Sequence, residues 1–162
     1  MSPTIRAADQ ADAVFVEAML REAVNWDPGR PALSMGEVRS LPELWHYVED
    51  WARSTDVGVV AEDEDGDPIG AAWLRFFDPD DPGFGFIDPA IPEVSIGVVD
   101  AHRGEGVGGA LLSALEDDAR ALGLEALSLS VEAANPAKRL YERRGYREVA
   151  KTGDAVTMRL DL

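Results

Sequence analysis

The sequence predicts a mixed α/β fold. Three observations point to it. Strand-like and helix-like runs alternate along the chain. The second half holds an apolar strand, a helix and a further strand in the order of a crossover. Between that strand and helix lies a glycine-rich turn, Val98-Val-Asp-Ala-His-Arg-Gly-Glu-Gly-Val-Gly-Gly109. With 162 residues the chain is long enough for one domain with a real core and too short for two ordinary ones, so residues 1–162 are expected to form a single domain.

Thr4-Ile5-Arg6 is the first strand candidate. A helix is expected from about Asp9 to Val24, where Ala13, Val14, Val16, Ala18, Leu20 and Ala23 are spaced for a broad apolar face. Asn25-Trp-Asp-Pro-Gly-Arg-Pro31 stops it. Pro42 to Arg53 reads as a second helix, with Pro42 suited to a first-turn position and Leu44, Trp45, Val48 and Trp51 as its stripe. Val57 to Ala61 and Ile69 to Phe77 are strands. Between them Glu62-Asp-Glu-Asp-Gly-Asp-Pro68 reads as a hairpin turn, because it lacks the spacing and closing glutamate of an EF-hand loop. Asp78 to Phe86 is an irregular loop, and Pro92 to Val99 is the next strand. Gly106 to Leu122 is a helix with Leu111, Leu112, Leu115, Ala119 and Leu122 on its buried face. Leu127, Leu129 and Val131 alternate with Ser128 and Ser130 as a strand. Asn135 to Arg144 is a helix stopped by Gly145. Tyr146 to Val149 and Ala155 to Leu160 close the fold as strands.

Composition narrows the function. The formal net charge is −16, which argues against nucleic acid as a partner, because phosphates need a basic surface. The acidity serves solubility and would also draw in a cationic substrate. The chain has no cysteine, so zinc–thiolate sites and cysteine nucleophiles are excluded. The amino end has no apolar signal core, and no apolar run is long enough to span a bilayer. A cytoplasmic protein without membrane contact is expected.

The glycine turn presents several backbone N–H groups to one point, at the positive end of a helix. That geometry suits a pyrophosphate. Its spacing, Arg103-x-x-Gly106-x-Gly108, differs from the dinucleotide fingerprint and lacks the Lys-Ser/Thr ending of a P-loop. Gly104, Gly106, Gly108 and Gly109 remove side chains from the approach, Val107 lies among them as a further binding candidate, and Arg103 adds a charged fork.

Two blocks resemble the GCN5-related N-acetyltransferase (GNAT) family. Arg103-Gly-Glu-Gly-Val-Gly108 matches its acyl-coenzyme A signature, Arg/Gln-x-x-Gly-x-Gly/Ala. Asn135-Pro-Ala-Lys-Arg-Leu-Tyr-Glu-Arg-Arg-Gly-Tyr146 matches its later segment, Asn…Ala-x-x-Leu-Tyr-x-x-x-Gly-Phe/Tyr. The resemblance implies a twisted mixed sheet of about seven strands flanked by about four helices. It implies acetyl-CoA as co-substrate and the primary amine of a small molecule or peptide as acceptor, with a homodimer as a further expectation. It places the pantetheine arm along the main chain of Val98 and Val99. The shared scaffold leaves two other readings open: a sensor that binds acyl-CoA without turnover, and hydrolysis or O-acyl transfer.

Transfer to an amine needs a proton acceptor for the amine and a proton donor for the departing thiolate. By resemblance Tyr141 is the general acid near the leaving sulfur; its plain alternative is a core tyrosine. Asn135 resembles the asparagine that contacts the pantetheine arm. By the longer spacing of many members Ala134 takes that place, and Asn before Pro is also a helix start. Glu93 is the candidate base, with an exposed strand-end carboxylate as its alternative. A base from the following strand is disfavoured by Ser130. His46 and His102 sit in no nucleophile–base pattern and read as packing or surface residues. Trp26 and Phe84, in irregular segments near several acids, are the candidate walls of the acceptor site. No metal ligand set is apparent.

Overall fold

The computed structural model describes residues 2–162. Strand β1 (Thr4–Ala7) leads through a 3-10 turn (Gln10–Asp12) to α1 (Ala13–Val24), α2 (Met35–Ser40) and α3 (Pro42–Trp45). Then come β2 (Val57–Glu62), β3 (Pro68–Arg75), β4 (Glu93–Val98), α4 (Val107–Ala121), β5 (Ala126–Glu132), α5 (Ala137–Arg143), β6 (Arg147–Thr152) and β7 (Ala155–Asp161). The strands form one seven-stranded sheet in the order β1-β2-β3-β4-β5-β7-β6. All neighbours are antiparallel except β4 and β5. The seven-stranded mixed sheet matches the expectation of about seven strands and about four helices, with five helices among the described residues.

Each face of the sheet carries its own core. On one side Leu111, Leu112 and Leu115 of α4 pack on Leu127, Leu129 and Val131 of β5 and on Val94 of β4. On the other, Val16, Met19 and Leu20 of α1 pack with Val38, Tyr47, Val48 and Trp73. Gly97 lets α1 lie directly on β4, since a Cβ there would overlap the Met19 carbonyl oxygen. Two residues assigned to buried faces lie outside: Val14 is 77% exposed and Leu122 is 60% exposed. Val14 sits in the first turn of α1, turned away from the sheet, and Leu122 lies past the end of α4, before Gly123 at φ 76°.

The predicted helix over Pro42 to Arg53 ends at Trp45. The cause is distant in sequence. Arg75 of β3 is 1% exposed, and its Nη1 donates to the carbonyls of His46 (3.0 Å) and Glu49 (2.7 Å). These carbonyls serve a buried cation, and Asp50 and Ala52 follow in left-handed backbone. Asp56 closes the ion pair, with Nη2 to Oδ2 at 2.7 Å. Conversely α2 lies in a stretch, residues 32–41, for which the sequence predicts no element; Ser34 and Glu37 form the reciprocal capping box that starts it. The acidic 62–68 segment is the expected hairpin turn: the Asp63 carboxylate accepts the N–H groups of Asp65 (2.9 Å) and Asp67 (3.0 Å).

Strands β4 and β5 pair at one point only, Glu93 opposite Ser128. Beyond it they part, while β4 stays paired with β3 along its whole length. Val99 donates to Ile69 (2.9 Å) and Ser128 donates to Pro92 (3.0 Å). By alternation the main-chain groups of Ile96 and Val98 therefore face the gap. Among the described residues no helix is long and apolar enough to cross a membrane.

Candidate active site

The glycine turn lies at the open end of the gap. Gly104 and Gly106 have φ of 79° and 84°, a conformation that costs other residues about 1–2 kcal/mol. Gly106 is the N-cap of α4, and Ala110 is the first residue to donate into the helix, to Gly106. The N–H groups of residues 104–109 have no acceptor among the described residues. Buried Val107 anchors the first turn in the core, and Gly108 lies under Leu140, 3.2 Å from where a Cβ would stand. A row of unpaired donors at a helix start is suited to a polyanion.

Arg103 sits beside this row. Its Nε donates to the Val98 carbonyl (3.2 Å), and its other nitrogens reach Glu22 (2.8 Å) and Asp100 (3.2 Å). Val98, Arg103 and Gly104 to Gly109 are thus gathered at one place. Val99 differs, because its N–H is committed to β3. His102 bonds Glu105 across the same loop (2.9 Å).

Helix α5 packs beside the start of α4. Asn135 lies just before it, its Oδ1 accepting the Ala137 N–H (2.9 Å). A cavity of about 250 Å³ lies alongside, lined by Ala133, Asn135, Lys138 and Arg139 among others. Tyr141 is 7% exposed and meets Tyr146 edge-on at 5.9 Å. Its hydroxyl has no hydrogen-bond partner among the described residues, and burial pushes the phenol well above its ordinary range. The pair Arg144–Glu116 (2.7 Å), with the Tyr146 hydroxyl at 3.3 Å, fastens α5 to α4.

Glu93 lies on the opposite face, where β4 and β5 meet. It is 3% exposed. Oε1 accepts from the Tyr47 hydroxyl (2.5 Å) and the Gly85 N–H (2.9 Å), and Oε2 has no partner. Burial raises its pKa to about 7, against the opposing pull of both donors. The loop over it rests on β5, since a Cβ on Gly85 would stand 2.5 Å from the Leu129 carbonyl carbon. Glu93 is therefore a buried carboxyl rather than the exposed strand-end carboxylate of its alternative reading.

Trp26 and Phe84 lie in separate loops. The Trp26 indole donates to Glu132 at the end of β5 (2.7 Å). Arg30 stacks over Trp26 at 5.2 Å and holds the same carboxylate (2.7 Å). The Arg30 bond, with Trp26 aiding, keeps the Glu132 pKa below its ordinary value. Phe84 is 57% exposed and stacks on Tyr47 at 6.3 Å. His46 is buried against Tyr47 and Phe77, with Nδ1 on Asp81 (2.9 Å). Tyr47, Arg30 and Glu132 were not singled out as site residues in the sequence. Nothing local marks them, because their partners are far along the chain.

Residues 19–146 match the acetyltransferase (GNAT) family. No curated protein matches the chain. Among solved structures, YncA from Salmonella typhimurium, with its cofactor acetyl-CoA, is 28% identical; the match covers 100% of this chain and 95% of that one, with a TM-score of 0.70. A phosphinothricin acetyltransferase from Sinorhizobium meliloti, in complex with acetyl-CoA, is 25% identical over 100% of this chain and 89% of that one, with a TM-score of 0.69. A ribosomal-protein-alanine N-acetyltransferase from Brucella melitensis is 25% identical over 98% and 99%, with a TM-score of 0.70.

Proposed function

The chain belongs to the acetyltransferase (GNAT) family, and from that premise we propose that it moves an acetyl group from acetyl-CoA to a primary amine by direct attack in a ternary complex. The acceptor is a small molecule or a peptide; the two acetyltransferases above that are named for their acceptors represent one of each kind. The observation that carries this reading is the single gap between β4 and β5. A row of unpaired N–H groups stands at its open end, and a buried carboxyl stands at its closed end.

The turn from Arg103 to Gly109 holds the pyrophosphate. The main-chain groups of Ile96 and the N–H of Val98 pair with the pantetheine arm, as an added strand would, while the Val98 carbonyl holds Arg103. Asn135, at the head of α5, contacts the same arm through its amide. Trp26 and Phe84 wall the acceptor side. Glu93 removes a proton from the amine, whose nitrogen forms the bond to the acetyl carbon as the carbon–sulfur bond breaks. Tyr141 gives a proton to the departing thiolate. A base near pH 7 is matched to this task. No cysteine is present to carry an acyl-enzyme.

Incubation with acetyl-CoA and a panel of small amines and peptides tests the reading. The expected outcome is released thiol with an acceptor mass increased by one acetyl group. Tight acetyl-CoA binding without release across the panel would instead identify a sensor. Thiol release with free acetate or an acetylated hydroxyl would identify hydrolysis or O-acyl transfer.

A further inference from the structure

The carboxyl of Glu93 is placed by a side chain from outside the sheet. Tyr47 follows the last turn of α3 and is 6% exposed. Its ring is fixed edge-on against His46 (4.8 Å) and Phe77 (5.0 Å), and its carbonyl accepts the Trp73 indole N–H (3.0 Å). The hydroxyl makes two bonds. It donates to Glu93 Oε1 at 2.5 Å and accepts the Phe84 N–H at 2.8 Å. One oxygen thus joins the turn after α3, the first residue of β4 and loop 83–86.

Resting on the reading of Glu93 as base, we infer that Tyr47 is a positioning residue for the transfer: its hydroxyl holds Oε1 and leaves Oε2 as the oxygen that receives the amine's proton. Oε1 already faces two donor hydrogens, so a proton added there would meet both. Oε2 has no partner and keeps its lone pairs. A Cβ on Gly83 would overlap Oε2, so the loop lies against the oxygen in question. Two backbone donors, Phe84 and Gly85, close that loop onto Tyr47 and Glu93. Of the two bonds to Oε1, the one from Tyr47 comes from a ring fixed in the core and the other from the main chain of loop 83–86. Burial and the neighbouring Glu93 keep the Tyr47 phenol protonated far above neutral pH, so it remains a donor throughout.

The test compares the pH dependence of kcat/KM in the native protein, Tyr47→Phe and Glu93→Gln. Phenylalanine keeps the ring packing and removes only the hydroxyl. Losing a hydrogen bond to the charged form raises the acid limb by about one to two pH units, which lowers activity at pH 7 about tenfold. Affinity for acetyl-CoA is expected to be unchanged. A carbon-13 titration of the Glu93 carboxyl without substrates should show the same rise. A native limb in Tyr47→Phe, together with an unmoved titration, overturns the inference. If Glu93→Gln itself keeps the native limb and rate, the base reading fails instead. Should Tyr47→Phe fail to fold, the native protein still decides. A downfield Tyr47 hydroxyl proton resonance, lost in Glu93→Gln, is expected, and its absence overturns the inference.

Discussion

The two ends of the β4–β5 gap are built in opposite ways. The glycine turn is contiguous: Arg103 to Gly109 supplies its unpaired donors, its left-handed backbone and its helix start from one stretch of chain. The Glu93 end is assembled from the turn after α3, loop 83–86 and β4, with Tyr47 and Glu93 separated by 46 positions. On the proposed reading the first end needs only local geometry, whereas the second depends on how separate segments of the chain come together.

If the two ends are separable in function, substitutions at one should leave the other intact. The largest effect is expected for Glu93→Gln, which should lower kcat/KM about 10²–10⁴-fold while calorimetry finds acetyl-CoA affinity within about twofold of native. A parallel loss of affinity would break the separation.

Next is stability. The folded pKa of Glu93 is about 7, and its ordinary value is 4.5. Between these values the folded state holds a proton that the unfolded state has released. The contribution is fully present below about pH 4.5 and is lost as pH rises through about 7. Denaturant unfolding should show the native protein losing up to about 3 kcal/mol relative to Glu93→Gln across that window. Parallel curves would show that the carboxyl is not desolvated.

At the donor end, Gly106→Val should weaken acetyl-CoA binding about 10–100-fold, since a side chain at φ 84° costs about 1–3 kcal/mol. The Glu93 titration should not move. A smaller effect, about tenfold on kcat with unchanged acetyl-CoA affinity, is expected for Tyr141→Phe. Unchanged turnover would remove Tyr141 from the reaction.

The same contrast explains what could be read in advance. The succession of elements in the second half, the α4 start and the Asn135–Tyr146 block were legible because their signals are consecutive residues. The stop of α3 was not, because it is set by Arg75, 29 positions beyond His46. Nor was the Trp26–Glu132 bond, which spans 106 positions. Tyr47 was one aromatic among several near Trp45 and Trp51, and only the fold aims its hydroxyl at a carboxylate. Helix α2 is a different case: its Ser34…Glu37 capping box is local, but the helix is six residues long and has no apolar periodicity to mark it.

The pH profile of kcat/KM for the native protein and Glu93→Gln, with one amine acceptor and acetyl-CoA, tests the central claim most directly. The account predicts an acid limb near pH 7 in the native protein and its disappearance in the variant, with acetyl-CoA binding retained. A variant with the native limb and native rate would contradict it.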